Sequence, residues 1–188
     1  MRDAVVSVAK ALDGRSYHVV AVRSTVPPST TRRIVVPLLC EYSGLKVGVD
    51  FGVCFNPEFL REASALQDFL RPSRVVIGEV DRKAGDMLEE LYKPFEAPII
   101  RTSPDAAEMI KYVANAFLAT KISFFNEVYL LCVELGLDPD SIAEAVALDP
   151  RIGEYGIYGG RPFKGGCLPK DLESLVSIFK EKGINSAI

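Results

Sequence analysis

The sequence predicts an α/β region followed by an all-α region built on one long helix. Three observations predict it. Between residues 16 and 101 short apolar runs alternate with helical stretches, the pattern of a mostly parallel sheet with crossover helices. From Ser103 to Gly136 one helical pattern runs unbroken. Beyond it come only helical stretches and a glycine-rich loop. Two domains are therefore expected, residues 1–102 and residues 103–188.

Asp3 to Leu12 reads as a helix whose core face is Val5, Val8, Ala9 and Leu12, closed by Gly14. Tyr17 to Val22 is a nearly continuous apolar run, suited to a strand buried on both faces. His18, the only histidine, has no carboxylate or second histidine nearby in sequence and reads as structural. RSTVPP breaks that strand, and a helix with Pro37 inside it follows. A Ser-Thr pair at the carboxyl end of a strand is where open α/β sheets hold ligands. Phe51–Phe55 is the next strand. Pro57 is expected to open a helix placing Glu58 and Glu62 on one face, either as paired carboxylates or as a solvated acidic face with Arg61 nearby. Arg74–Glu79 is a third strand. Asp81 caps a helix through Leu91 with Met87, Leu88 and Leu91 inward, and Pro98–Arg101 is a last strand.

Ser103 and Pro104 suit the N-cap and first position of the long helix, Asp105 and Glu108 complement its dipole, and Gly136 ends it. Apolar residues lie on nearly every face, so the helix has to be enclosed by its own domain and by another subunit. Lys111 and Asn115 sit four apart and point the same way. They read either as groups facing a polar cavity or as a snorkelling lysine beside a surface asparagine. Asp138 caps a second helix. Asp149–Gly166 is a long loop with six glycines, a length that is usually functional or disordered, and it leads through Cys167-Leu-Pro-Lys-Asp171 into a last amphipathic helix ended by Gly183.

The whole-chain numbers limit the function classes. With 48% hydrophobic residues and a net charge of −3 over 188 residues, the chain has material for a real core. Net acidity with scattered basic residues argues against nucleic acid as partner. No charge-free stretch of eighteen apolar residues is present, so no membrane span is expected, and the start lacks a signal-peptide pattern. Cys40, Cys54, Cys132 and Cys167 lack paired spacing. That argues against a metal site or disulfide framework and for a reducing, cytoplasmic setting. No GxGxxG fingerprint follows a strand near the start, and both ends read as cut from a longer protein.

STVPPSTT, NPEFLREASA, KYVANAFLATKISFFNE, DPRIG and GGCLPKD occur in this order. Together they closely resemble the nucleotide-sugar 6-dehydrogenases, the UDP-glucose/GDP-mannose dehydrogenase family, over nearly the whole chain. The resemblance implies the later half of a Rossmann-like parallel sheet, followed by the family's all-α central domain. It implies NAD as cofactor, a nucleotide-sugar as substrate, and a homodimer formed through the 103–136 helix. Two departures stand out: the dinucleotide fingerprint and the C-terminal nucleotide-sugar domain are missing, and Lys164 takes a usual glycine position in the cysteine loop.

The family oxidises a primary alcohol to a carboxylate in two steps, and a cysteine serves the second. By resemblance Cys167 is that nucleophile, whereas Cys40, Cys54 and Cys132 lie in apolar runs. Lys111 and Asn115 are given the oxyanions. Glu58, Thr25 and Asp171 place water and relay protons. Ser24, Thr25, Val26, Glu62 and Lys170 match cofactor-contacting positions. Glu58, Phe59, Leu60, Lys111, Asn115, Tyr158, Phe163 and Gly165 match substrate positions, and Arg151 matches an arginine reaching a neighbouring subunit's substrate. RIG, ANAFLA and the Arg151-to-Cys167 spacing look more like the UDP-glucose branch. GVDFGV, NPEFLRE, APIIR and CLPKD look at least as much like the GDP-mannose branch. UDP-glucose is the expected substrate and GDP-mannose the alternative. A non-catalytic dimerisation module and a hydroxyacid-type dehydrogenase are the competing readings, the latter needing no cysteine in this loop.

Overall fold

The structure, a computed structural model, describes residues 1–160 and 166–186. The chain packs as two compact units, Met1–Lys111 and Tyr112–Ile188.

The first unit holds a four-stranded sheet of β1 (His18–Val22), β2 (Phe51–Phe55), β3 (Val75–Glu79) and β4 (Ile99–Thr102), in that order. β1 pairs parallel with β2, and β3 with β4. β2 and β3 run antiparallel, so the sheet is mixed. The cause lies in the connection between them. It carries only a 3-10 turn, Glu62–Ser64, and the six-residue helix α3, Ala65–Leu70. Six helical residues span about 9 Å, against about 17 Å for a five-residue strand. The chain therefore stays at the carboxyl end of β2, and β3 starts there.

β2 is buried along its whole length, as its apolar sequence requires. β1 corrects the expectation of a strand buried on both faces: it lies at the sheet edge, with His18 and Ala21 exposed. Helix α1 (Arg2–Ala11) buries Ala9 but leaves Val8 exposed. Between β1 and β2 the chain makes one π-helical turn, Thr31–Val35, and then α2, Val36–Ser43. Pro37 explains the wide turn. It has no N–H to give and its ring crowds the carbonyl four residues back. The turn ahead of it opens, and the Val36 N–H donates to the Thr31 carbonyl, five residues back.

Asp81 caps α4 (Arg82–Tyr92) by accepting the Ala84 N–H at 2.9 Å. The buried stripe of α4 is Ala84, Leu88 and Tyr92, four residues apart, with Gly85 beside it. Met87 and Leu91, expected inward, are one face over and exposed. Arg101 on β4 bonds Glu79, Asp86 and Glu89 and so fastens α4 to the strand. A Cβ at Gly85 would strike the Glu79 carboxylate in that network, which is why a glycine stands there.

α5 is Pro104–Leu135, 32 residues. Ser103 accepts the Ala106 N–H at 3.2 Å, and Gly136 takes the left-handed conformation that ends the helix. By length and composition it is long and apolar enough to cross a bilayer, but Asp105, Glu108, Lys111, Lys121, Glu127 and Glu134 interrupt it, so no stretch of eighteen residues in it is free of charge. Its buried polar residues Glu108, Lys111 and Asn115 instead meet protein partners. The second unit adds α6 (Pro139–Ala147), capped by Asp138, and α7 (Cys167–Glu181). Its core gathers Phe125, Ala143, Ala147 and Ile157.

Candidate functional site

The first unit builds one part of the site around Lys111. Its side chain is only 7% exposed, which excludes the snorkelling reading. The ammonium donates to the Glu58 carbonyl at 2.6 Å and to Glu58 Oε1 at 3.3 Å. Glu58 does not sit on a helix. Residues 56–61 form an extended loop past β2, because Asn56 and Pro57 end the strand without starting a helix. The expected Glu58–Glu62 helix face is therefore absent. Glu58 turns back to accept the Leu60 N–H at 2.7 Å, while Glu62 is exposed at the start of the 3-10 turn. The Phe59 ring lies 5.4 Å from the lysine nitrogen and 3.9 Å from the Arg74 guanidinium. Leu60 is exposed.

The Ser24–Val26 loop leaves the carboxyl end of β1. Ser24 is exposed and Thr25 half-buried. Val26 packs with Phe55, Val76 and Ala107, so its side chain belongs to the core. The loop is held by a residue whose role the sequence did not reveal. Glu108 is fully buried and accepts the backbone N–H groups of Ser29 at 2.6 Å and Thr31 at 2.8 Å. Burial raises its pKa above the ordinary carboxylate value, outweighing the lowering by the hydrogen bonds from Thr31 and Ser29. Asp105 adds a pair with Arg32 at 2.7 Å. These acids, read as complements to the helix dipole, anchor the loop instead. A signal existed: Glu108, Lys111 and Asn115 fall at i, i+3 and i+7, one polar stripe on one face.

In the second unit Asn115 donates to Asp171 Oδ2 at 2.6 Å, and both are buried. The other oxygen of Asp171 has the Lys170 ammonium 3.2 Å away, on a side chain 57% exposed. α7 starts earlier than the sequence suggested. It takes in Cys167-Leu-Pro-Lys-Asp171, with Pro169 in the first turn, where its missing N–H costs nothing. Cys167 and Asp171 thus stand one turn apart on one helix face. Cys167 is exposed, whereas Cys54 and Cys132 are buried and Cys40 is half-buried. Burial pushes the Cys54 thiol up to about 12.

Arg151 is exposed and held by Asp149 through contacts of 2.6–3.0 Å. Lys121, also missed in the sequence, donates to the carbonyls of Ile152 at 2.7 Å and Gly153 at 2.9 Å and so positions the loop that carries Arg151. Tyr158 is exposed and donates to Glu144 at 3.2 Å, and that carboxylate raises its pKa. Phe163, Lys164 and Gly165 lie outside the described residues.

Comparison with known proteins bears on this arrangement. The family model for the NAD binding domain of the UDP-glucose/GDP-mannose dehydrogenase family matches residues 1–96. The model for the central domain of the same family matches residues 105–188. A GDP-mannose 6-dehydrogenase of Pseudomonas putida is 45% identical over 165 residues, 87% of this chain and 38% of that protein. A UDP-glucose 6-dehydrogenase of Bacillus subtilis is 46% identical over 167 residues, 89% of this chain and 36% of that protein. The solved structure of a UDP-glucose dehydrogenase from the hyperthermophilic archaeon Pyrobaculum islandicum superposes with a TM-score of 0.90 at 43% identity, covering 97% of this chain and 42% of that one. The chain therefore spans less than half the length of each of these relatives. With both units matched in order, the chain belongs to the UDP-glucose/GDP-mannose dehydrogenase family.

Proposed function

We propose that this chain carries the NAD-facing and cysteine-bearing segments of a nucleotide-sugar 6-dehydrogenase, with residues 1–102 as part of the NAD domain and residues 103–188 as the central domain. The observation that carries the reading is donor supply on α5. A lysine ammonium has three N–H groups, and Glu58 engages two of them. A carboxamide has two, and Asp171 engages one. Each residue keeps one donor for a substrate oxygen, and each is oriented by a carboxylate. Preorganised donors of this kind stabilise developing oxyanions.

NAD held by the first unit would supply the hydride acceptor for each oxidation. Ser24, Thr25 and Glu62, exposed or half-exposed past β1 and β2, suit one end of that dinucleotide. Lys170, exposed on α7, is assigned to the cofactor as well. Glu58 and Thr25 hold water and take the proton from the substrate's C6 hydroxyl. The Cys167 thiolate adds to the aldehyde carbon, and Lys111 and Asn115 hold the resulting thiohemiacetal oxyanion. Loss of a hydride from that adduct leaves a thioester on Cys167. Water, placed by Glu58 and Asp171, hydrolyses it to the acid and the free thiol. Phe59, Leu60 and Tyr158 face the sugar, and Arg151 reaches a second subunit's substrate. The setting is the cytoplasm.

UDP-glucose is the proposed substrate, favoured by the 0.90 TM-score of the Pyrobaculum islandicum structure. GDP-mannose is the second reading, favoured by the 45% identity to the Pseudomonas putida protein. The test is a chimera in which this chain replaces the matching segment of the Bacillus subtilis relative. NADH formation from UDP-glucose is expected, with loss of acid product in Cys167→Ser. Acid formation that survives Cys167→Ser would overturn the mechanism. The 188-residue chain alone is expected to give no turnover, since it contains no glycine-rich pyrophosphate turn.

A further inference from the structure

In the second unit the chain after α6 is seated on α5. Lys121 meets the backbone of Ile152 and Gly153, and Phe125 packs with Ile157. Two glycines stand where the chain comes closest to the helix. A Cβ on Gly156 would lie 2.9 Å from the Ile122 side chain, and one on Gly159 would lie 2.3 Å from that of Tyr129. The helix residues involved, 121–122, 125 and 129, fall one turn apart, so residues 152–159 follow one face of α5. Lys121 is the polar end of that seat. Its ammonium donates to the Ile152 carbonyl at 2.7 Å and the Gly153 carbonyl at 2.9 Å. The N–H groups of the same two residues turn back to the Asp149 carbonyl, at 2.8 and 3.0 Å. Among the described residues no backbone N–H reaches the two carbonyls, so the lysine is what satisfies them.

Arg151 immediately precedes the pinned carbonyls. Its N–H donates to Asp149 Oδ1 at 3.0 Å, and its guanidinium grips the same carboxylate at 2.6 and 3.0 Å. The side chain is nevertheless 87% exposed. Arg151 is thus fixed at two points, the backbone after it by Lys121 and its head by Asp149. A long side chain loses rotamer freedom when it binds, and one fixed beforehand loses less. We infer that Lys121 is a positioning residue for Arg151: it holds the Ile152–Gly153 turn so that the guanidinium stands ready for a substrate oxygen, and it acts on substrate affinity and not on the hydride steps. The inference rests on the substrate role proposed for Arg151, and it adds a residue that touches no substrate itself.

The test has two arms. The first uses the 188-residue chain and needs no turnover. Lys121→Met keeps the stem and removes both bonds, so hydrogen exchange at the Ile152 and Gly153 amides should speed up about tenfold, the scale of a lost charge-assisted bond. Lys121→Arg should restore slow exchange. Unchanged exchange in Lys121→Met would overturn the inference. The second arm uses the chimera with the Bacillus subtilis relative. Lys121→Met should raise KM for the nucleotide-sugar about fivefold, as an exposed charged contact allows, and leave kcat unchanged. Lys121→Arg should bring KM back. In an Arg151→Ala background Lys121→Met should add nothing, because it acts through Arg151. Full additivity of the two changes, or a fall in kcat at constant KM, would overturn Lys121 as a positioning residue and leave Arg151 in its role. Arg151→Ala with an unchanged KM would instead remove the substrate role of Arg151, and this inference with it.

Discussion

Asn115 donates to Asp171 at 2.6 Å, joining a residue of α5 to one 56 positions later on α7. Asp171 is fully buried and Asn115 is 8% exposed, so water cannot replace either partner. Asp171→Ala removes the acceptor and strands a buried amide. The expected cost is about 1–3 kcal/mol of stability, read by urea unfolding. Asp171→Asn keeps an acceptor oxygen and should lose less. Equal stability of the Ala variant and the unsubstituted chain would show that the bond does not hold α7.

Glu108 gives a second prediction. It receives two backbone N–H groups from a loop in which Ser29 adopts a positive φ of 75°. Few side chains favour that conformation, so something must hold it. Glu108→Gln offers one acceptor oxygen where two were used. Hydrogen exchange at the Ser29 and Thr31 amides should speed up by roughly tenfold or more, as loss of a charge-assisted bond implies. Unchanged exchange at both amides would remove Glu108 as the loop's anchor.

These two carboxylates mark what the sequence made legible. Lys111, Asn115 and Cys167 stood out because a lysine, an amide and a lone thiol among glycines break an apolar or loop pattern. Asp81, Ser103 and Asp138 were legible as caps because capping is local. Glu108 was not, because its partners are 77 and 79 residues away and an acid in a first turn already has a local explanation. The antiparallel β2–β3 pair was hidden for a similar reason: strand direction depends on where a connection ends, and the pattern of residues 56–74 resembled a full crossover helix. Met87 and Leu91 were misplaced by one face because Ala84 and Gly85, small residues with weak apolar signal, set the phase of α4.

Thiol chemistry separates Cys167 from the rest. It is exposed at the start of α7, while Cys54 is fully buried. A limiting alkylating reagent near neutral pH should label Cys167 first, by peptide mass analysis. Labelling of Cys54 or Cys132 ahead of it would contradict this structure.

Cys54 also sets an alkaline limit. Burial, and then Asp81 and Glu79, raise its pKa from the ordinary thiol value to about 12 in the folded chain. An unfolded thiol releases its proton near pH ~8.5. Between that value and about 12 the unfolded chain has lost a proton that the folded chain keeps. Stability should therefore fall as pH rises through this window, having been fully present below it. Cys54→Ala removes that component and should show a shallower decline in denaturation midpoint from pH 8 to 10. Parallel declines would assign the alkaline loss to other groups, Tyr17 first.

The last prediction concerns the outer face of α5. Val113, Phe117, Phe124, Leu131 and Leu135 are spaced by 4, 7, 7 and 4 residues, one stripe along the helix. Each is more than half exposed, Phe117 at 65%. Phe125 is not part of it, because it packs inward on Ala143, Ala147 and Ile157. A monomer seldom leaves so long an apolar stripe in water. A two-fold pairing covers both copies with one self-complementary surface, each stripe lying against its twin. This is the homodimer that the family resemblance implies for the 103–136 helix. Sedimentation of the chain at micromolar concentration should give a dimer. Phe117→Glu and Phe124→Glu together place two charges in the seam and should yield monomer. Because both side chains are exposed within one chain, the variant should retain its helical circular dichroism. A chain that sediments as a monomer before substitution would defeat the pairing. A dimer whose mass survives both charges would move the interface off this stripe.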